Sequence, residues 1–256
     1  MGQIDASVYF NQEDSSARSH VQNINASNGG TRIDCVSEPH LACCLLVDTS
    51  GSMSVGGKID ELNKALRDFG PVVCEDPLSA KRVDVCLIEF NTDVHVVTPF
   101  CPIRQFNPPP LKAYGATRMA TAIRYALEAV HEQVHRYHEA GVECYKPFVL
   151  MITDGEPTES VAGIENIIAA REGSGRYGHL RFHAFGVKGA NMDLLSKLTH
   201  RTLAISNDAF GEIFNWASRS MQAISHSTPA ENVAGAAITA NMHAYDPATK
   251  KLPWDD

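Results

Sequence analysis

The sequence predicts an α/β fold: a mainly parallel six-stranded sheet with helices on both faces and one antiparallel edge strand. Three observations predict it. Strand-like and helix-like segments alternate along residues 41–226, which is the signature of β-α-β units. The segments LACCLLVD and KPFVLMITD are continuous apolar runs, the pattern of strands covered on both faces. Two further runs, VDVCLIEFN and VHVVTPF, are separated by a tight turn and read as a hairpin, which supplies the antiparallel edge.

The elements follow in order. LACCLLVD (41–48) is the first strand, and the loop TSGSMSVGG leads into a helix from Lys58, where Ile59, Leu62, Leu66 and Phe69 fall at helical spacing. The hairpin occupies 83–100. PPP at 108–110 opens a loop that runs to Gly115. Residues 118–140 form a helix with Met119, Ile123, Ala126, Leu127, Val130 and Val134 on one stripe. KPFVLMITD (146–154) is a strand that ends in an aspartate, followed by a helix over 160–173 and a strand at 180–187. NMDLLSKLT is a short helix, RTLAIS an edge strand, and residues 209–227 the last helix. One domain, 40–226, therefore carries the fold, with a polar extension at 1–39 and a tail at 227–256.

The chain has 256 residues, of which 44% are hydrophobic and 20% charged, an ordinary globular composition. Its 30 acidic and 22 basic side chains give a formal charge of −8 without a basic cluster, which argues against nucleic acid and anionic lipid as partners. No run reaches the ~20 apolar residues that a membrane span needs. The opening MGQIDASVYF lacks the basic and apolar regions of a signal peptide, and Ser7 stands one place late for a myristoylation signal after Gly2. A cytoplasmic location is expected. The cysteines number seven, with no C-x-x-C pair, and Cys43, Cys44 and Cys86 lie in apolar strands; they read as core thiols rather than as a disulfide or zinc framework.

Ligands of an open parallel sheet bind beyond the carboxyl ends of its strands. Two polar clusters fall there, Asp48-Thr-Ser50-Gly-Ser52 and Asp154-Gly-Glu156. Two carboxylates and short hydroxyl side chains suit a hard divalent ion such as Mg²⁺. The i, i+2, i+4 spacing of Asp48, Ser50 and Ser52 lets a curled loop aim three oxygens at one point, and Gly51 permits the sharp path. Each segment alone also has a plainer reading, in which Ser50 or Ser52 caps the next helix and Asp154 sits in a turn.

VDTSGSM resembles the D-x-S-x-S motif of von Willebrand factor type A domains, which forms their metal ion-dependent adhesion site. AYGATRMATAI resembles the segment that supplies the site's threonine, here Thr117, and ITDGEPT the segment with its second aspartate, here Asp154. The compact style resembles the intracellular bacterial TerY/YegL branch. The resemblance implies a Rossmann-like fold and a Mg²⁺ site (Mn²⁺ or Ca²⁺ as substitutes). Its ligands would be Ser50, Ser52 and Thr117, with Asp48 and Asp154 acting directly or through water. It also implies a non-enzymatic module that docks an Asp or Glu of a partner protein, in a stress-response, tellurite-resistance or phage-defence setting, beside a kinase or phosphatase. Arg118, after Thr117, departs from the small residue usual there. It either receives the acidic ligand or pairs with a neighbour such as Glu156.

The alternative class is a metal-dependent hydrolase. HEQVH (131–135) matches the zinc-protease pattern, with His131 and His135 as ligands and Glu132 as base, but its helix already carries a core stripe. A phosphatase using Asp48 lacks the second aspartate two places on, where Ser50 stands. GSMSVGGKI nearly spells a phosphate loop, but Ile59 replaces the hydroxyl residue after the lysine. Finally, apolar groups in the terminal segments, namely Val8, Tyr9, Phe10, Tyr245, Leu252 and Trp254, predict that at least one terminus packs on the domain or onto a partner, with Trp254 as anchor and Asp255 and Asp256 left polar.

Overall fold

The computed structural model describes residues 33–173, 180–205, 209–230 and 235–252. Val8, Tyr9, Phe10, Trp254, Asp255 and Asp256 lie outside them. Strand β1 (Leu41–Asp48) is followed by a 3-10 turn at Gly51–Gly57, helix α1 (Lys58–Cys74) and the single turn α2 (Ser79–Arg82). The hairpin β2 (Val83–Phe90) and β3 (Val94–Pro102) comes next, then α3 (Met119–Glu139), β4 (Phe148–Thr153) and α4 (Ile164–Glu172). The chain continues through β5 (Arg181–Gly186), α5 (Met192–Leu198), β6 (Thr202–Ile205), α6 (Phe210–Ser225) and β7 (Met242–Ala244).

These strands form one sheet in the order β3-β2-β1-β4-β5-β6-β7. The five from β2 to β6 pair in parallel, while β3 and β7 run antiparallel at the two edges. The sheet thus has seven strands rather than six, and two antiparallel edges rather than one. RTLAIS is not an edge strand, because Met242, His243 and Ala244 pair with Ile205, Ala204 and Leu203. The predicted tail therefore packs on the domain. Tyr245 reinforces it, its hydroxyl donating to Asp193 at 2.5 Å, and Leu252 packs against the core.

All eight residues of β1 are buried, which accounts for its unbroken apolar run. Leu41, Cys43, Leu45 and Val47 face the α1/α6 layer with Leu62, Leu66, Phe69 and Phe214. Ala42, Cys44 and Leu46 face the opposite layer with Met119, Ile123, Val130 and Ile168. Each fully buried aliphatic side chain contributes about 1.5–3 kcal/mol, so the two layers fix the register of this central strand firmly. All seven cysteines are free thiols, and Cys43, Cys44 and Cys86 are buried in the sheet as expected.

The chain runs from β1 outward to β2 and β3, then returns to the other side of β1 as β4. The order therefore reverses between β1 and β4, and a crevice opens beyond their carboxyl ends. Asp48 ends β1, and Asp154 directly follows β4.

Candidate metal centre

The five predicted ligands come together in this crevice. Asp48 is fully buried; its Oδ1 accepts the Ser50 backbone N–H at 2.8 Å and its Oδ2 the Thr153 hydroxyl at 2.5 Å. The Ser50 and Ser52 hydroxyls lie 3.0 Å apart, and Ser52 Oγ donates to Asp154 Oδ1 at 2.6 Å. Lys58 Nζ donates to Asp154 Oδ2. Thr117 completes the set. A methyl group built on Gly155 would lie 3.4 Å from Thr117 Oγ1 and 3.5 Å from both Asp48 Oδ2 and Ser52 Oγ. Three hard oxygens therefore converge on the space that Gly155 leaves by lacking a side chain.

The backbone makes this possible. The Ser50 side chain makes no capping bond, and α1 is capped by Gly57 instead, so the plainer reading of the serines does not hold. Met53 anchors the turn from below, fully buried, with its N–H on the Ser50 carbonyl at 3.0 Å. The loop after β1 is stitched to the Thr117 loop by Tyr114 N–H to the Thr49 carbonyl at 2.8 Å and Gly51 N–H to the Gly115 carbonyl at 3.1 Å. Gly115 has φ +77, and a Cβ there would fall 2.3 Å from Thr92 Oγ1, so only glycine fits. Asn91 links both loops: its side chain donates to Thr49 Oγ1 at 3.0 Å and its carbonyl accepts Arg118 N–H at 3.0 Å. Sequence reasoning missed Asn91, Thr92 and Lys58. The turn between two strands was a signal for the first two, but only their contacts reveal the role.

Burial pushes the Asp48 carboxyl up to about 6, against hydrogen bonds from Ser50 and Thr153 that lower it, and the nearby Asp154 charge adds to the rise. The site is open on one side only: Ser50, Thr117 and Asp154 are buried, whereas Ser52 is exposed. Two carboxylates and three hydroxyls, all hard oxygens, fit Mg²⁺, Mn²⁺ or Ca²⁺. Arg118 Nε pairs with Glu159 Oε2 at 3.5 Å rather than with Glu156, which accepts from Asn191 at 3.0 Å.

Residues 43–156 match the family model of the von Willebrand factor type A domain. No curated protein sequence matches the chain. Among solved structures, it is similar to the von Willebrand factor type A protein of Catenulispora acidiphila, at 15% identity and a TM-score of 0.53, over 72% of this chain and 43% of that one. The pilus adhesin SpaC of Lactobacillus rhamnosus GG matches at 14% identity and TM-score 0.58, over 76% of this chain and 32% of that one. The von Willebrand factor domain of the type V pili tip protein Mfa5 of Porphyromonas gingivalis matches at 8% and 0.50, over 77% and 99%. The chain thus spans less than half the length of the first two, and these identities establish the shared fold.

The histidines of the alternative zinc reading lie away from this crevice. His131 and His135 lie on α3, about 18 and 24 Å along the helix axis from Met119, the first residue after the Thr117 loop's end at Arg118. His135 is exposed and pairs with Glu139 at 3.5 Å. Among the described residues, no three His, Cys, Asp or Glu side chains converge to hold a metal ion. No helix among them is long and apolar enough to cross a membrane.

Proposed function

We propose that this von Willebrand factor type A domain is a metal-dependent protein-docking module rather than an enzyme. Asp48, Ser50, Ser52, Thr117 and Asp154 hold Mg²⁺, or Mn²⁺ or Ca²⁺ in its stead. The observation that carries the reading is the convergence of the Thr117, Asp48 and Ser52 oxygens on the space beside Gly155. When bound, a divalent ion would supply an electrophilic point for an Asp or Glu of a partner protein. The residues' own work is to keep that point in shape. Thr153 and the Ser50 backbone fix the Asp48 carboxylate, Asn91 and Thr92 fix the two loops, and the exposed side at Ser52 leaves room for the incoming group.

The resemblance to the TerY/YegL branch extends the proposal to a cytoplasmic adaptor or regulator in a bacterial stress-response, tellurite-resistance or phage-defence system, with a kinase or phosphatase as partner. A calorimetric titration with Mg²⁺ tests the site: the unaltered chain binds one ion and Asp48→Ala binds none. Undiminished binding by Asp48→Ala would sink the assignment. Capture of the native partner in Mg²⁺ and its release by EDTA tests the docking role. Zinc at one ion per chain, lost in His131→Ala/His135→Ala, would instead favour the hydrolase.

A further inference from the structure

We infer that Lys58 is a tethered cation that holds the place of the divalent ion, so that seating the lysine and seating the metal are alternatives. The inference rests on the metal-docking reading above and assigns a role to a residue outside its ligand set.

Contact comes first. Lys58 Nζ is paired with Asp154 Oδ2 while Ser52 Oγ holds Asp154 Oδ1 at 2.6 Å, so both oxygens of one proposed ligand are already engaged. Among the described residues, Lys58 is the cationic side chain that forms an ion pair with either carboxylate of the centre. Confinement comes second. The Asp154 side chain is 0% exposed and that of Lys58 17%. Gly189, at φ +108, walls the pair. A Cβ there would fall 2.8 Å from the Asp154 carbonyl and 3.8 Å from Lys58 Nζ. An ammonium placed in this crevice interacts more strongly than one at an open surface.

Position comes third. Lys58 is the first residue of α1, where the helix dipole disfavours a cation and favours acids such as Asp60 and Glu61 in the same turn. Its place there does not serve the helix. It serves the carboxylate across the crevice.

The physical consequence is competition. A divalent ion needs the Asp154 oxygens and the Ser52 lone pair, and it repels an ammonium in the same space. In the metal-free chain, Lys58 offsets the repulsion between two buried carboxylates and keeps the loops in place. Metal affinity is then lowered by the fraction of time that the lysine occupies its seat.

Titration with Mn²⁺ alone, on the full chain, tests the inference. Lys58→Met is expected to bind Mn²⁺ about tenfold more tightly than the unaltered chain, the effect of a lysine seated about nine-tenths of the time. It should melt at a lower temperature without metal and gain more on adding it. Lys58→Arg, which keeps the charge, should bind no more tightly than the unaltered chain. A second readout needs no variant: acetylation of Lys58 by acetic anhydride, followed by peptide mass spectrometry, should quicken when Mg²⁺ saturates the site. Equal Mn²⁺ affinity with and without Lys58, or Lys58 reactivity unmoved by bound Mg²⁺, overturns the inference and leaves the metal reading intact. Absence of Mn²⁺ binding by every chain removes both.

Discussion

Strands β1 and β2 carry a buried carboxylate near each end of the sheet, and the two are treated in opposite ways. At the amino end, Asp84 Oδ2 accepts from His40 Nδ1 at 2.8 Å and from the Tyr137 hydroxyl at 2.5 Å. All three side chains are buried, and the His40 and Tyr137 rings lie 5.3 Å apart. Burial alone would lower the His40 pKa, but the hydrogen bond and charge of Asp84 outweigh it and leave it raised, whereas burial pushes Tyr137 well up. At the carboxyl end, Asp48 is held by the Ser50 backbone and a threonine hydroxyl, among further hydroxyls that bond to one another. A phenol and an imidazole committed to one acceptor have no lone pair to offer a cation at that carboxylate. Hydroxyl groups can rotate from donating to accepting, so the same cluster that satisfies itself can turn its lone pairs to a cation. What separates a structural carboxylate from the proposed ligand is thus the character of its neighbours rather than its burial.

The largest test of this contrast is Asp84→Ala. It strands His40 and Tyr137 in the core and should cost about 3–5 kcal/mol in urea unfolding, with Mg²⁺ binding by the surviving folded fraction unchanged. Asp48→Ala should do the reverse, abolishing Mg²⁺ binding while changing stability by no more than about 1–2 kcal/mol, because it also removes a costly desolvated carboxylate. A stability loss as large as that of Asp84→Ala would erase the distinction.

The third test uses pH. The Asp48 carboxyl has a native value raised to about 6, above that of an unfolded chain, so the fold favours its protonated form. That contribution is present at low pH and is lost as pH rises through about 6. Protons and Mg²⁺ therefore oppose each other, and Mg²⁺ should raise the melting temperature more at about pH 7.5 than at about pH 5. The smallest effect belongs to Arg118→Ala. Its pair with Glu159 is half-exposed, so stability should move by less than about 0.5 kcal/mol, and any larger consequence should show only in partner affinity.

The central elements were legible because their patterns are local. The apolar run of β1 follows from burial on both faces, and the stripe of α3 from one buried face. Asp48, Ser50, Ser52 and Asp154 were legible as a cluster because short oxygen-bearing side chains gather at two strand ends, whereas Thr117 entered only through the resemblance. β7 was not, since only Met242 of its three residues is buried and pairing with β6, not composition, makes it a strand. Nor was the partner of Arg118: Glu159 pairs with it, whereas Glu156 is taken by Asn191, a residue far along the chain. Lys58 drew notice only as the lysine of a failed phosphate loop. Its position at the start of a helix, against the dipole, was the signal that another contact holds it there.

The seventh strand bears on how the protein is made. During synthesis, β1 to β6 and their helices emerge before Met242, and until then β6 presents a free row of backbone donors and acceptors. The opposite edge is better guarded, since β3 carries Pro99 and Pro102 and its register with β2 is broken by irregularities near Leu87. Chains stalled on the ribosome before residue 242 would share one sticky side and associate through it, whereas chains extended past Ala244 cover β6 and leave only the three-residue β7 at that edge.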